Sequence, residues 1–249
     1  MLSIKNISKI YKTSKGNVVA LKDLSLEIDE GEVICLLGPN GAGKTTTIKL
    51  IGTFVNPTTG TISYNNISIT QRSKYLKNIS VLFEGNRSVI WSLKVEENLE
   101  YFCGIRGLRL KDVKERIIKY MKIFGLEEYK GKFVNEISRG NQQKLAVASV
   151  LVLGTPVVLL DEPTLGLDFE TSDNLMNIIK KEVDDNKKIF IITSHDADFI
   201  DKIASRIVII DKGEVKGIFK VEELKSITKE ENFKNAYLKY IKNKYERKN

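Results

Sequence analysis

Residues 38–45 read Gly38, Pro39, Asn40, Gly41, Ala42, Gly43, Lys44 and Thr45, which fits GxxxxGK[ST]. An apolar run at 33–37 precedes them and the helix-forming TTIKLI, beginning at Thr46, follows, which is the strand-to-helix setting this motif requires. Glycines at these positions let backbone N–H groups converge on phosphate oxygens, and the following helix presents its positive end. Lys44 is placed to reach the β- and γ-phosphates and Thr45 to ligate Mg²⁺. The expected ligand is therefore a nucleoside triphosphate with Mg²⁺, bound by residues 38–46. A second segment, VVLLDEPT at 157–164, is an apolar strand ending in two acids. Asp161 is suited to the Mg²⁺ shell, and Glu162 to orienting and deprotonating an attacking water. Glu84 is a third acid at a strand tip, in VLFEGNRSVIW at 81–91.

With these residues in view, the chain resembles the ATP-binding subunits of ABC transporters. The resemblance rests also on Ser138-Arg139-Gly140-Asn141-Gln142, on Leu165-Gly166-Leu167-Asp168 directly after DEPT, and on Thr193-Ser194-His195-Asp196. Ser138 lies 94 residues after Lys44 and 23 before Asp161, and His195 lies 34 after Asp161, an order and spacing similar to one complete cassette. The resemblance implies a P-loop α/β fold: a mostly parallel RecA-like sheet core, an N-terminal antiparallel β subdomain and an inserted helical subdomain. It implies that Tyr11 stacks on adenine, that His195 contacts the γ-phosphate, and that Asp168 lies at a dimer interface. Ser138 and Gly140 open a helix whose N–H groups and dipole make a second anion site. In the family that site faces the nucleotide of a partner cassette, so two ATP molecules are sandwiched head to tail. Two departures stand out: Arg139 occupies a usual glycine, and Glu84 a usual glutamine whose oxygen meets Mg²⁺ in the family, so Glu84 reads either as a hard oxygen ligand for the metal or as a structural partner of Arg87.

The elements that must position these groups are legible as continuous apolar runs of strand length at 157–160, 189–193 and 207–210, which suit strands covered on both faces. Short strands are expected at 2–4 and 24–28, and a hairpin at 61–69 turning on Asn65-Asn66. Between 96 and 153 the apolar residues recur at helical spacing instead, as at Leu99, Phe102 and Cys103 and then Ile117, Ile118 and Met121. The expected layout is a core at 1–83 and 154–225, a helical subdomain at 84–153, and an amphipathic C-terminal helix at 226–249. That last segment carries an apolar stripe at Phe233, Ala236, Tyr237, Tyr240 and Ile241, read as docking on the cassette rather than on lipid.

The 249 residues are 42% hydrophobic and 29% charged, and no apolar stretch reaches the roughly 18–20 residues of a membrane span. The N-terminus lacks a secretory pattern, and Cys35 and Cys103 sit in apolar surroundings, so a reduced cytoplasmic protein is expected. A single histidine argues against a zinc cluster. The net charge of +8 leaves open a soluble ABC ATPase acting on nucleic acid, but such repair proteins carry a long coiled coil and such translation factors two cassettes. A small P-loop kinase or GTPase would leave SRGNQ, LGLD and SHD unexplained. Residues 84–102 look closest to cassettes of ABC-2-type bacterial exporters. The expected partners are a separately encoded transmembrane permease, with cargo of the drug, antimicrobial-peptide or polysaccharide class, and a second cassette. No nucleic acid is expected, and the place is the cytoplasmic face of a bacterial membrane, reached through the permease. By the resemblance, Val89, Ile90 and Trp91 are read as one apolar cluster that receives that permease, the alternative being that Trp91 is a core residue of the helical subdomain.

Overall fold

The computed structural model describes residues 1–14, 16–85 and 88–246. In chain order its elements are β1 (Leu2–Thr13), β2 (Gly16–Ile28), β3 (Val33–Leu37), α1 (Lys44–Ile51), β4 (Thr59–Tyr64), β5 (Ile67–Ser68), α2 (Arg72–Leu76) and β6 (Ile79–Leu82). There follow α3 (Val95–Ile105), α4 (Leu110–Ile123), α5 (Arg139–Leu151), β7 (Val157–Asp161), α6 (Phe169–Asn186), β8 (Ile189–Thr193) and α7 (Ala197–Ile203). The chain closes with β9 (Arg206–Asp211), β10 (Glu214–Phe219), α8 (Val221–Thr228) and α9 (Phe233–Glu246).

The strands run β5-β4-β1-β2-β10-β9-β3-β8-β7-β6 across one sheet. From β9 through β3, β8 and β7 to β6 every pairing is parallel, whereas β5-β4-β1-β2 is antiparallel. The parallel strands are buried on both faces, and alternate residues feed two separate cores. Val33, Cys35 and Leu37 of β3 join Val158, Leu160 and Ile192 on the face covered by α3 to α9. Ile34 and Leu36 join Leu159, Ile191 and Ile48 of α1 on the other. This period-2 division between two apolar layers is why these strands read as unbroken hydrophobic runs. Both cysteines are buried free thiols, and burial pushes that of Cys35 up to about 12.

Three regions differ from the sequence expectation. β1 and β2 are far longer than expected, because register shifts near Ile4, Ile7 and Lys9 interrupt the alternation by which a strand is recognised. The expected C-terminal helix is not continuous over its described residues, 226–246: α8 already covers 226–228, and Lys229 ends it in the left-handed region at φ 57° before α9 begins. Val89 belongs to the core at 7% exposure while Trp91 is 53% exposed, so the two do not share one surface. The hairpin does turn on Asn65 and Asn66, at φ 45° and 65°, both conformations that asparagine tolerates. On α9, Phe233 and Ala236 are buried, and Tyr240 donates its hydroxyl to the Lys216 carbonyl at 2.8 Å.

Candidate functional site

The phosphate-binding segment leaves β3 and enters α1 through a turn that only glycine fits. Gly38 has φ 152°, and a Cβ there would stand 1.9 Å from the Ile210 carbonyl oxygen. Gly43, at φ 115°, caps α1, and its Cβ would meet the Ala20 carbonyl at 2.6 Å. The chain is thereby pressed against β9 and β2, and the N-terminus of α1 opens into a cleft. Residues 40–46 line that cleft together with Ala20, Glu84, Asp161, Glu162 and His195. Lys44 is buried, its ammonium donating to the Gly38 carbonyl at 2.7 Å and the Pro39 carbonyl at 3.3 Å. Desolvation lowers its pKa, against the raising pull of Glu162, Asp161 and Glu84.

Opposite the loop, β7 and β8 end side by side with Asp161 paired to Thr193. Asp161 is buried, and its Oδ1 accepts from the Thr193 hydroxyl at 2.6 Å. Glu162 follows in the left-handed region at φ 51°, a conformation costing about 1 kcal/mol for a non-glycine residue. Its N–H donates to the Thr193 hydroxyl at 2.9 Å and to the Thr193 carbonyl at 3.1 Å. Its Oε2 accepts from the His195 N–H at 3.3 Å. His195 Nε2 stands 3.4 Å from Oε1, within ion-pair reach, yet Oε1 is buried without a hydrogen-bond partner. Desolvation raises the Glu162 pKa, while His195 and Lys44 lower it and Asp161 raises it further, with the net direction upward. A buried carboxylate oxygen lacking a donor, beside a basic residue and a phosphate loop, suits a bound water that needs an acceptor.

Among the described residues no group of three or more His, Cys, Asp or Glu side chains is arranged to hold a metal. The Thr45 hydroxyl and Asp161 carboxylate nevertheless fit Mg²⁺, which keeps several waters and takes substrate phosphates beside one or two protein oxygens. Glu84 is exposed at the cleft mouth, and Arg87, its alternative partner, lies outside the described residues.

Other residues singled out from the sequence stand elsewhere. Ser138 caps α5 by accepting from the Asn141 N–H at 3.3 Å. Gly140 packs beside the Gly166 carbonyl, which would be 3.4 Å from a Cβ. Asp168 caps α6 by accepting from the Thr171 N–H at 2.8 Å and pairs with Lys144 at 3.3 Å. The Thr171 hydrogen bonds foremost hold its pKa down at about 2. Ser138, Gly140 and Asp168 do not line the cleft, and neither does Tyr11. Tyr11 sits on β1 opposite Val18, with the Lys9 ammonium 5.1 Å from its ring centre. Sequence reasoning assigned no role to Thr193 or to Gln143, whose side chain donates to the Pro163 carbonyl at 3.2 Å behind the acidic pair. The one available signal for Thr193 was a hydroxyl closing an otherwise apolar strand.

A family model described as ABC transporter matches residues 21–165. The chain belongs to the ABC transporter family. It is 33% identical over 216 residues to the ABC transporter ATP-binding protein NatA of Bacillus subtilis (strain 168), covering 86% of this chain and 87% of that one. It is 32% identical over 220 residues to the Methionine import ATP-binding protein MetN 1 of Bacillus cereus (strain ATCC 10987 / NRS 248), covering 86% of this chain but 63% of that one. Among solved structures, the ATP-binding cassette MJ0796, a dimer in a post-hydrolysis state bound to ADP and Pi, superposes with TM-score 0.81 at 29% identity, over 88% of this chain and 98% of that one. An ATP binding subunit of an ABC transporter superposes with TM-score 0.86 at 25% identity, over 97% and 99%. The protein is thus an ABC cassette that binds and hydrolyses ATP, of the class that pairs as dimers and works with membrane permease subunits. No helix among the described residues is long and apolar enough to cross a membrane.

Proposed function

We propose that this cassette powers export through a separate ABC-2-type permease, hydrolysing Mg-ATP in the cleft between the phosphate loop and the ends of β7 and β8. The convergence of residues 40–46, Glu84, Asp161, Glu162 and His195 on one cleft carries the catalytic part of this reading. The loop N–H groups and Lys44 grip the phosphates, and Thr45 and Asp161 would hold Mg²⁺, with Glu84 at the mouth. Bound Mg²⁺ supplies neutralisation and alignment of the phosphate oxygens. Glu162 accepts the proton of the attacking water, its buried Oε1 being the acceptor in need of a donor. His195 contacts the γ-phosphate from the same loop that anchors Glu162. Tyr11 stacks on adenine; its neighbour strand β2 brings Ala20 into the cleft.

Ser138 and Gly140 lie outside the cleft of their own chain, which favours their service to a second cassette docked head to tail, with Asp168 at that interface. The helices α3, α4 and α5 form the helical subdomain at 84–153, between core segments 1–83 and 154–225. Trp91, Tyr101 and Ile105 are exposed apolar residues on that subdomain, suited to a permease contact. Export is taken from the likeness of residues 84–102 to ABC-2-type cassettes.

Glu162→Gln tests the chemistry: hydrolysis falls about 10²- to 10⁴-fold with ATP binding retained and an ATP-bound dimer stabilised. Parent-rate turnover at saturating Mg-ATP sinks the assignment. Isolating the intact complex from membranes tests the transport reading. A partner of about six apolar spans is expected, and Trp91→Ala should weaken its recovery without changing basal ATPase activity.

A further inference from the structure

We infer that Thr193 is a positioning residue that sets Asp161 and Glu162 as one unit, a role resting on the reading of those two acids given above. Thr193 is the last residue of β8 and is fully buried, directly across from Asp161 at the end of β7. A threonine at a strand end has an ordinary explanation in its β-branched shape. Shape does not account for its hydroxyl, which is enclosed where an unsatisfied polar group is costly and which bonds to both acids.

A hydroxyl has one proton to give. Thr193 Oγ1 accepts the Glu162 N–H at 2.9 Å and therefore spends its own proton on Asp161 Oδ1 at 2.6 Å. The chain Glu162 N–H, Thr193 O–H, Asp161 Oδ1 is thus directional, and each link polarises the next. Its first consequence falls on Asp161. With Oδ1 held by the hydroxyl, the orientation of the carboxylate is restrained, and Asp161 would present Oδ2 to Mg²⁺. The second falls on Glu162, whose left-handed backbone at φ 51° is held by two acceptors of one residue, the Thr193 carbonyl at 3.1 Å and its hydroxyl. That backbone conformation turns the Glu162 side chain toward His195, two residues after Thr193 on the same connection. One side chain therefore fixes the metal ligand and the base relative to each other, although they come to it from a different strand.

Thr193→Val keeps the branched shape and removes the hydroxyl, and Thr193→Ser keeps the hydroxyl and trims the shape. With Thr193→Val, kcat falls about ten- to hundredfold, the loss expected for a hydrogen bond to a charged group. The Mg²⁺ concentration for half-maximal activity rises, while KM for ATP moves little. A fluorescent ATP analogue measured without turnover gives the second readout. Its affinity in EDTA stays within about twofold of the parent, and the gain in affinity on adding Mg²⁺ is reduced. Thr193→Ser restores both readouts. Should Thr193→Val be too unstable to purify, Thr193→Cys, of similar size and with only a weak donor, is expected to show the same two deficits. Parent-like kcat and Mg²⁺ response in Thr193→Val overturn the inference, as does a Thr193→Ser protein as impaired as the valine variant, which would assign the effect to packing. Glu162→Gln run alongside separates the two levels. If it too hydrolyses ATP normally, the reading of the acids fails; if it alone is inactive, only the role of Thr193 fails.

Discussion

Glu182 on α6 offers a test of how the helical subdomain is fastened to the core. It is 4% exposed, and each of its oxygens has two donors. Oε2 meets the Lys188 ammonium at 2.5 Å and the Asn186 amide at 3.1 Å, and Oε1 meets the Tyr120 hydroxyl of α4 at 3.1 Å and the Lys119 ammonium at 3.5 Å. Lys188 is itself only 7% exposed, so Glu182→Ala strands a buried ammonium. Removing one partner of such a pair costs about 3–5 kcal/mol. At about 2–4 °C per kcal/mol for a chain of this size, the melting temperature should drop by roughly 6–20 °C. Replacing both partners, as Glu182→Leu with Lys188→Met, should recover most of the loss, because no buried charge then lacks a partner. The effect also has a pH signature. Burial would raise the Glu182 pKa, but the Lys188 hydrogen bond and charge, with Tyr120 and Lys119, leave it lowered. A carboxylate depressed in the folded state contributes stability above its unfolded pKa and loses it as pH falls through the folded value. The gap between parent and Glu182→Ala should therefore narrow in acid. Thermal unfolding across pH reads both quantities. A loss under about 1 kcal/mol, or a double variant no better than the single one, would refute the reasoning.

Lys44→Ala removes the buried ammonium of the phosphate loop and should weaken nucleotide binding itself, read by titration of a fluorescent ATP analogue rather than by kcat. Glu84→Gln should keep activity with an altered Mg²⁺ dependence and Glu84→Ala should lose more; identical Mg²⁺ titrations for all three proteins would point to a structural role. Truncation after Glu231 removes the buried Phe233 and Ala236 and the Tyr240 ring 5.1 Å from that of Phe219. Burial of one such aromatic contributes about 1.5–3 kcal/mol, so a melting point lowered by several degrees is expected, and unchanged melting with lost liposome binding would reverse the assignment of α9 to the cassette.

The sequence alone determined those parts of the protein whose chemistry needs contiguous residues. A phosphate loop is made from successive backbone N–H groups, so residues 38–45 carry it wherever they fold. Strands buried on both faces announce themselves as unbroken apolar runs, and Asn65-Asn66 carries its turn in its own torsional tolerance. What depends on register between distant segments was settled only by tertiary structure. Thr193 reaches Asp161 because β7 and β8 pair in the register that sets those two residues opposite. Tyr120 reaches Glu182, 62 residues away, because α4 packs where α6 passes. Val89 and Trp91 are two residues apart in an apolar segment, yet one is core and the other surface. Hydropathy cannot separate them, since burial is decided by what the fold brings against each side chain. The long β1–β2 hairpin was hidden for a related reason: its bulges break the local alternation, and the pairing across the hairpin and to β4 restores it in three dimensions.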